Sequence, residues 1–474
     1  MTDFFLALEK NAERYPASLA LASRSGHLTY QFLVRNIEAV AANAVELGFK
    51  PGQTVLLECS NKDARLPLVF GLMRVGVSVG VGQSPELFAE HNVRVDAVVT
   101  DNPKLKADCK VFRLSPQWFK LPSKRKTIPA VGRDYGLIFS SSGSTGKSKL
   151  IKFNKKNIEY RIKSKSNESY FSDYPRFYST AGNTTSATFF DFMITLEKGG
   201  VVIQSSDRSA NTILDTINLF EPNYVTMAPA LLVQILRLLQ DQPRRFQKIG
   251  YLRLTGAYCS VRTREETLRK FAREVVTSFG AAEIARVASG KFTDIRNLEG
   301  SVGKITDGMI VDTVDDDGAS LPAGSEGEIR VRPPRAAVAS YLNGSGDQTP
   351  LRDGWFYPGD IGRVDPDGNL IITGRKSQII NLGGNKVSPE VAESLLLEMG
   401  AVEDVGVLGV KDHNGFDVVC AVIVKKKDID LDKIKQHLFE KKSNFSVKKL
   451  KLVPFIPRTE TGKIDRTRLK EIVD

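Results

Sequence analysis

The sequence predicts an α/β protein with a large amino-terminal domain of layered sheets and helices and a small carboxy-terminal α+β domain. Three observations support this: apolar runs alternate with amphipathic segments in the first half, hairpin signals begin at Gly303, and strands and helices mix again after Gly374. A chain of 474 residues is also too long for one hydrophobic core. We place the domains at residues 1–373 and 374–474.

Buried strands and helices alternate through the first half of the chain. Helices are predicted at Leu66–Arg74 and Ile213–Leu219, between apolar runs short enough to be strands. Continuous apolar strands are typical of parallel sheets that are covered on both faces. The strands expected here are Thr54–Glu58, Ala97–Thr100, Gly136–Ser140 and Gly199–Gln204.

A different pattern begins at Gly303, where shorter strands are separated by Asp-Asp-Gly and Pro-Asp-Gly. Glycine supplies the positive φ that tight hairpins require, so this stretch predicts a small antiparallel unit, a distorted β-barrel. After Gly374 the chain supplies a strand, a turn at Gly383–Gly384 and a helix that begins near Ser388 and Pro389. These elements predict the small carboxy-terminal domain.

The composition excludes several classes of protein. A hydrophobic content of 41% with 26% charged residues is ordinary for a globular protein and excludes disordered, collagen-like and coiled-coil chains. No apolar run approaches the roughly 20 residues needed to cross a bilayer. Acidic Asp3 and Glu9 stand where a secretory signal needs a basic and then an apolar stretch. We therefore expect a cytoplasmic protein without a membrane span.

The cysteines, histidines and charged residues exclude further kinds of binding site. Four cysteines lie far apart and four histidines have no metal-ligand spacing, so neither a disulfide framework nor a structural zinc site is expected. The 67 Lys and Arg exceed the 55 Asp and Glu by 12, which indicates solvated helix faces or contacts to a polyanionic small molecule. Nucleic-acid binding is not expected, because aromatic residues do not cluster among the basic ones.

The strongest local signal is the segment 139–149, Phe-Ser-Ser-Ser-Gly-Ser-Thr-Gly-Lys-Ser-Lys, which precedes a helix expected to begin at Asn154. Its small residues let backbone amides approach a polyphosphate closely, and Lys147 and Lys149 add positive charge. The end of the segment also matches a Walker loop, which however needs glycine where Ser141 stands. A flexible Ser/Gly linker is a further alternative. The segment by itself predicts only a phosphate loop.

Further segments stand in an order that, together with this loop, resembles the adenylate-forming superfamily of acyl-CoA synthetases, non-ribosomal adenylation domains and luciferases. Ser-Ser-Gly-Ser-Thr-Gly-x-x-Lys resembles the phosphate loop of that superfamily. A Walker motif explains only this one segment, so the Walker interpretation is set aside. The other matching segments are Leu28–Tyr30, Leu252–Tyr258 (LRLTGAY), Thr277–Glu283 (TSFGAAE), Gly354–Asp360 (GWFYPGD), Gly374–Arg375, Gly383–Pro389 and Pro457–Arg466 (PRTETGKIDR).

The resemblance implies an ATP site with Mg²⁺. Phe279 would stack on adenine, and Asp360 would accept hydrogen bonds from the ribose hydroxyls. Arg375 would bind the same ribose or the phosphate. Glu283 would hold Mg²⁺ together with the Thr145 hydroxyl. Taken singly, each of these residues can also be interpreted as a core aromatic, a turn residue or a surface charge. The nucleotide-binding residues implied are Ser142, Gly143, Ser144, Thr145, Gly146, Lys147, Lys149, Gly256, Ala257, Phe279, Gly280, Asp360 and Arg375.

The catalytic residues that the resemblance implies are Lys463 and Glu283. Attack of a carboxylate on the α-phosphorus of ATP builds negative charge, which a positioned ammonium neutralises. In the family the carboxy-terminal domain is a mobile lid that then rotates about a hinge, here near Lys376–Ser377, and opens a pantetheine tunnel beside Gly384. The substrate-binding positions implied are Ser179, Tyr258 and Gly384.

The sequence departs from the family pattern at several positions. Ser148 and Leu150 replace a proline and a glycine of the phosphate loop. Ala282 replaces the threonine that would contact the α-phosphate, which removes one hydrogen bond. Ser179 stands where many acyl-CoA synthetases have a histidine before the acyl pocket. The chain therefore resembles a divergent member of this superfamily.

The expected function is ATP-dependent activation of a carboxylic acid to acyl-AMP with release of pyrophosphate, followed by transfer to the thiol of CoA. An aryl or short acyl acid is favoured over an amino acid, because Asp191 lies too close to Gly199 to be the aspartate that binds a substrate ammonium. Tyr258 favours the same acids by shortening the pocket. One alternative is a stand-alone enzyme that loads the phosphopantetheine of an acyl or peptidyl carrier protein. Another is an ATP- or acyl-binding protein without activity, which Ala282 and Ser148 motivate.

Overall fold

Two large sheets with helices between and outside them are followed by two small sheets near the carboxy terminus. The computed structural model describes residues 3–122, 134–141, 148–166, 168, 171, 174–182, 184–205, 207–239, 249–256, 259–296, 298–343, 346–382, 385–441, 443–458 and 464–473. Thirteen described strands form the larger sheet and eight form the second sheet. A two-stranded and a three-stranded sheet lie in the carboxy-terminal part.

The described strands are β1 (Leu19–Ser23), β2 (Gly26–Thr29), β3 (Thr54–Glu58), β4 (Ser78–Val81), β5 (Ala97–Thr100), β6 (Lys110–Arg113), β7 (Gly136–Ser141), β8 (Lys149–Asn154), β9 (Arg176–Ser179), β10 (Val201–Ile203), β11 (Tyr224–Met227), β12 (Tyr251–Leu254), β13 (Glu274–Ala281), β14 (Ala285–Lys291), β15 (Ser301–Ile305), β16 (Ile310–Val314), β17 (Gly327–Arg332), β18 (Ser340–Asn343), β19 (Gly346–Gln348), β20 (Asp360–Val364), β21 (Asn369–Arg375), β22 (Ile380–Leu382), β23 (Asn385–Val387), β24 (Val402–Lys411), β25 (Asp417–Lys425) and β26 (Val447–Leu452).

The described α-helices are α1 (Phe4–Arg14), α2 (Tyr30–Glu46), α3 (Lys62–Val75), α4 (Pro85–Glu90), α5 (Lys155–Ser166), α6 (Ser186–Glu197), α7 (Ala210–Phe220), α8 (Pro229–Leu238), α9 (Val261–Lys270), α10 (Phe292–Ile295), α11 (Pro389–Leu397), α12 (Leu431–Glu440) and α13 (Arg466–Val473). Short 3₁₀ helices cover Pro116–Phe119 and Arg335–Ala337.

The larger sheet has the order β16-β17-β20-β21-β15-β14-β13-β12-β11-β9-β10-β1-β2, and the second has the order β19-β18-β8-β7-β4-β3-β5-β6. From β13 to β1 neighbouring strands of the larger sheet run parallel, as do β7, β4, β3, β5 and β6 of the second. The antiparallel unit predicted after Gly303 is confirmed, and it continues the larger sheet beyond β14.

The largest hydrophobic core joins both sheets. It contains apolar side chains of α2, α3 and α6 together with residues of β1, β9 and β10 from one sheet and β3, β4 and β7 from the other. The helices α2 and α3 approach so closely that a Cβ on Gly71 would lie 2.5 Å from the Cβ of Val40. A second core cluster packs α7 and α8 against β11 and β12. Buried apolar side chains of this kind dominate the stability of such layers.

The helix α5 begins where the sequence predicts. The Asn154 side chain accepts a hydrogen bond from the backbone N–H of Asn157 at 3.0 Å, and the Asn157 side chain accepts one from Asn154 N–H at 3.0 Å. This reciprocal pair satisfies two backbone donors at the helix start. It also fixes the direction in which α5 leaves β8.

The small carboxy-terminal domain packs α11 and α12 on the sheet β24-β25-β26. Arg466, the first residue of α13, connects α11 with the segment before it. The Arg466 guanidinium lies 2.8 Å from Glu393 Oε1 on α11 and 3.1 Å from Gln378 Oε1. Strand β21 passes through Gly374 and pairs Arg375 with Asp360. The sheet of the large domain therefore extends two residues beyond residue 373.

The predicted strands and helices are confirmed with small differences at their ends. Strand β10 begins at Val201 rather than Gly199, because Gly199 has a φ of +75° and a Cβ on Gly200 would lie 2.2 Å from the Pro175 carbonyl oxygen. All four cysteines are free. None of the described helices combines the length and the apolar character that a bilayer-spanning helix requires.

Candidate active site

The hairpin that β13 and β14 form carries three of the predicted site residues, Phe279, Gly280 and Glu283. Gly280 stands opposite Arg286 in this hairpin, and a Cβ on Gly280 would lie 2.4 Å from the Ala285 carbonyl oxygen. The turn closes with Ala285 at a φ of +70°. Glycine at position 280 is thus required by the close approach of the two strands, and Glu283 projects from the turn that they hold.

Glu283 is held at both its backbone and its carboxylate. Its carbonyl oxygen accepts a hydrogen bond from Ala339 N–H at 2.7 Å, and its Oε1 accepts one from the Tyr341 hydroxyl at 2.9 Å. The Lys149 ammonium lies 3.4 Å from the same hydroxyl and 4.6 Å from the centre of the Tyr341 ring. Two predicted site residues, Lys149 and Glu283, therefore meet through Tyr341, a residue that the sequence analysis did not identify.

Arg161 supports the same turn from the side of α5. Its guanidinium lies 4.7 Å from the Phe153 ring and 5.4 Å from the Phe190 ring, and it donates hydrogen bonds to the carbonyl oxygens of Ala282 at 2.7 Å and Ala337 at 3.0 Å. Burial lowers the pKa of Arg161 to about 9, with the charge of Glu283 acting in the opposite direction. A buried cation thus ties the turn to the segment that precedes Tyr341.

Asp360 and Arg375 lie next to each other on β20 and β21. They are directly paired across the two strands, and Arg375 Nη1 lies 3.3 Å from Asp360 Oδ1. The Asp360 side chain is 11% exposed and that of Arg375 is 35% exposed. The prediction that both residues serve one site is compatible with this placement, because a ligand can reach the Arg375 side of the pair.

The segment after Arg375 is held on two sides. The Lys376 ammonium lies 2.7 Å from Glu328 Oε2 of β17, whereas Gln378 accepts the hydrogen bond from Arg466 of α13. Ser377 lies between these two anchors. The side chains on either side of the predicted hinge are thus fixed to different parts of the chain.

Phe279, Gly256 and Ser179 have distinct environments. Phe279 is half-buried against a core cluster that includes Ile284 and Phe356, while Gly256 is exposed with a φ of +92°. Ser179 is 5% exposed, and its hydroxyl lies 3.0 Å from that of Thr188 on α6. The Ser179 hydroxyl is therefore engaged within the protein.

Asp191 is the centre of a buried ion cluster. It is fully buried, it pairs with Arg253, and its Oδ1 lies 3.1 Å from the Lys165 ammonium. Burial opposes ionisation of Asp191, but Arg253 and Lys165 hold its pKa below the usual range. The inference that Asp191 does not bind a substrate ammonium agrees with this pairing. Its structural role was not visible in the sequence, because its partners are 26 and 62 residues away.

Several predicted site residues lie outside the described residues. These are Ser142, Gly143, Ser144, Thr145, Gly146, Lys147, Ala257, Tyr258, Gly384 and Lys463. Their predicted roles remain predictions.

The described residues of the candidate site fit a magnesium ion that arrives with a nucleotide. In the described part of the chain, no group of three or more His, Cys, Asp or Glu side chains is arranged to hold a metal. Mg²⁺ bound with ATP takes most of its oxygen ligands from phosphates and water and needs one or two carboxylates. The single carboxylate of Glu283, half-buried beside Lys149, meets that requirement.

Two family models match the chain in sequence order. The model of AMP-binding enzymes matches residues 8–342, and the model of the AMP-binding enzyme C-terminal domain matches residues 392–463. The chain belongs to the AMP-binding enzyme family. The predicted resemblance to the adenylate-forming superfamily is thereby confirmed over most of the chain.

Individual proteins are similar to this AMP-binding enzyme over nearly their whole length. It is 23% identical to the vibriobactin-specific 2,3-dihydroxybenzoate-AMP ligase of Vibrio cholerae, over 98% of this chain and 93% of the relative. It is 24% identical to the 2-succinylbenzoate–CoA ligase of Bacillus licheniformis, over 98% of each chain. The solved O-succinylbenzoate coenzyme A synthetase of Bacillus subtilis, in complex with ATP and a magnesium ion, has a TM-score of 0.81 at 21% identity, covering 98% of this chain and 99% of that one. This similarity confirms the adenylate-forming fold.

Proposed function

We propose that this AMP-binding enzyme is an acid–thiol ligase that activates a carboxylic acid with ATP and transfers the acyl group to CoA. The observation that carries the proposal is the ordered match of both the AMP-binding and the C-terminal family models, the second of which includes Lys463. A protein that only binds ATP has no need of a lysine on a separate carboxy-terminal domain. CoA is the acceptor named for the Bacillus licheniformis relative.

The first step forms acyl-AMP. A carboxylate oxygen of the acid attacks the α-phosphorus of ATP, the bond between the α-phosphorus and the bridging oxygen breaks, and pyrophosphate leaves with both electrons of that bond. Lys463 neutralises the charge that develops on the α-phosphate oxygens. Asp360 accepts hydrogen bonds from the ribose hydroxyls beside Arg375, and Phe279 stacks on adenine. Glu283 would hold Mg²⁺, which would supply positive charge to the phosphates.

The second step forms the thioester. The CoA thiolate attacks the acyl carbonyl carbon, the bond from that carbon to the AMP oxygen breaks, and AMP leaves. Rotation of the part of the chain that follows Ser377 withdraws Lys463 and brings the Gly384 loop to the site. The anchors at Lys376 and Gln378 support this pivot, because each fixes one side of Ser377 to a different part of the chain.

The substrate class proposed is an aryl or short acyl acid. The names of two relatives, a 2,3-dihydroxybenzoate-AMP ligase and a 2-succinylbenzoate–CoA ligase, both refer to aryl acids. Pairing of Asp191 with Arg253 and Lys165 leaves this carboxylate unsuited to bind the ammonium of an amino acid. A cytoplasmic location is proposed as well, and the four free cysteines support it because cytoplasmic thiols stay reduced.

The test is product analysis with the full chain. The protein is incubated with ATP, Mg²⁺ and a panel of aryl, aliphatic and amino acids, with either CoA or a phosphopantetheinylated carrier protein as acceptor. We expect AMP and an acyl-CoA with an aryl or short acyl acid, detected by mass spectrometry. Acylation of the carrier protein but not of CoA would show that the carrier protein is the acceptor. Absence of AMP with every acid would overturn the proposal.

A further inference from the structure

Tyr341 occupies a position from which it reaches two predicted site residues. It lies on β18, which pairs with β8, and it stands directly opposite Ile151. Lys149 is two residues before Ile151 on the same strand and therefore on the same face, as a diagonal neighbour of Tyr341. This register brings the Lys149 ammonium to 4.6 Å from the centre of the Tyr341 ring.

The hydroxyl of Tyr341 has a fixed direction. Its only hydrogen is donated to Glu283 Oε1 at 2.9 Å, since a carboxylate can only accept. The oxygen lone pairs are then left for the Lys149 ammonium, which lies 3.4 Å away and can only donate. The three side chains form an ordered chain of hydrogen bonds from Lys149 through Tyr341 to Glu283.

The backbone beside Tyr341 reinforces this order. Ala339, two residues before it, donates its N–H to the Glu283 carbonyl oxygen at 2.7 Å. Asn157 of α5 donates its side-chain amide to the carbonyl oxygens of Ala336 at 3.1 Å and Val338 at 2.8 Å. The strand that carries Tyr341 is thus tied both to Glu283 and to the helix that follows β8.

The hydrogen bond from Tyr341 fixes the Glu283 carboxylate at one of its two oxygens. Oε1 accepts this bond from the Tyr341 hydroxyl at 2.9 Å. A carboxylate that binds a metal needs such a hydrogen-bond partner to keep its orientation.

We propose that Tyr341 is a positioning residue that holds the Glu283 carboxylate for the metal and the Lys149 ammonium for the nucleotide phosphates. Its ring seats Lys149, and its hydroxyl orients Glu283, so the two functions of one side chain can be separated by substitution. The proposal rests on the proposed function, since it assumes that an ATP–metal complex binds here. In this role Tyr341 acts only through Glu283 and Lys149.

The test is binding of a non-hydrolysable ATP analogue, measured by calorimetry with Mg²⁺ and again with EDTA. For the wild-type chain we expect tighter binding with Mg²⁺. The variant Tyr341→Phe keeps the ring but loses the hydroxyl. Its Mg²⁺-dependent gain in affinity should be about tenfold smaller than that of the wild-type chain, which is the lower end of the effect of removing the hydrogen-bond partner of a metal ligand. Its affinity in EDTA should stay at the wild-type value.

A second substitution separates the ring from the hydroxyl. Tyr341→Leu also removes the seat of Lys149, so it should weaken binding in EDTA as well as in Mg²⁺. The matched control is Tyr30→Phe, which removes a buried hydroxyl that donates to Gly200 at 2.7 Å in the core. This control should lower the thermal stability without changing the Mg²⁺-dependent gain.

A double-mutant cycle protects the test against indirect effects. In a Glu283→Gln background, Tyr341→Phe should cause no further loss of the Mg²⁺-dependent gain, because the two residues act as a unit. Additive losses would overturn the proposed role of Tyr341 but not the proposed function. A Tyr341→Phe variant that keeps the full Mg²⁺-dependent gain of the wild-type chain would have the same consequence. A wild-type chain that binds no analogue in either condition would overturn the proposed function and this role together.

Discussion

Two regions of the molecule present their proposed nucleotide contacts in different ways. Asp360 and Arg375 are neighbours across β20 and β21, so the register of one antiparallel pair places both. Glu283 instead projects from a turn. Tyr341 of β18 binds its carboxylate, and Ala339, just before that strand, binds its carbonyl oxygen. Arg161 of α5 binds the neighbouring carbonyl oxygen of Ala282. A strand pair is positioned by backbone hydrogen bonds, whereas a turn residue depends on side chains from elsewhere.

This difference explains what the sequence could predict. Alternating apolar runs and Gly-containing turns predict the strands, and the motifs around Asp360 and Arg375 predict that both residues serve one site. Tyr341 and Arg161 carry no such signal, because a tyrosine in a short strand and an arginine in a basic helix are ordinary residues in a sequence. Their contacts with Glu283 and Ala282 span 58 and 121 residues, and only the packed structure brings them together.

The largest expected effect concerns Lys463, whose proposed role is to neutralise the charge that develops on the α-phosphate. Lys463→Ala should lower the rate of adenylate formation by roughly 100–1,000-fold, as expected for loss of one group that stabilises charge in a transition state. Thioester formation from synthetic acyl-AMP should keep its rate. Single-turnover assays of the two half-reactions measure this, and adenylate formation at the wild-type rate would remove Lys463 from the mechanism.

Arg161→Met tests whether the turn depends on its side-chain support. It leaves the carbonyl oxygens of Ala282 and Ala337 without their charged donor, so the free energy of unfolding should fall by about 1.5–3 kcal/mol. Urea unfolding gives this value, and adenylate formation should decrease as Glu283 loses its position. Unchanged stability would show that the turn does not depend on Arg161.

Arg375→Met provides the opposite case in the strand pair. The Arg375 side chain is partly exposed and its ion pair with Asp360 is screened by solvent, so the free energy of unfolding should change by less than ~1 kcal/mol. The apparent KM for ATP should rise. A loss of stability as large as that of Arg161→Met, with an unchanged KM, would make Arg375 a structural residue and end the contrast between the regions.

Ala282→Thr has the smallest expected effect and sharpens the description of the turn. Arg161 binds the carbonyl oxygen of Ala282, and the Ala282 side chain is half-buried against the largest core. A threonine hydroxyl that reaches the α-phosphate should raise the rate of adenylate formation by about fivefold, the equivalent of a net hydrogen bond of ~1 kcal/mol. Pre-steady-state rates measure it, and a slower variant would mean that the turn has no room for the hydroxyl.

The central claim is that this chain forms an acyl-adenylate, and ATP–pyrophosphate exchange tests it most directly. Exchange is measured without CoA across aryl, short aliphatic and amino acids, with labelled pyrophosphate. We expect exchange that depends on an aryl or short acyl acid and on Mg²⁺, and that falls by roughly 100–1,000-fold in Lys463→Ala. A chain that binds ATP but shows no exchange with any acid would contradict the account and favour a protein that binds the nucleotide without using it.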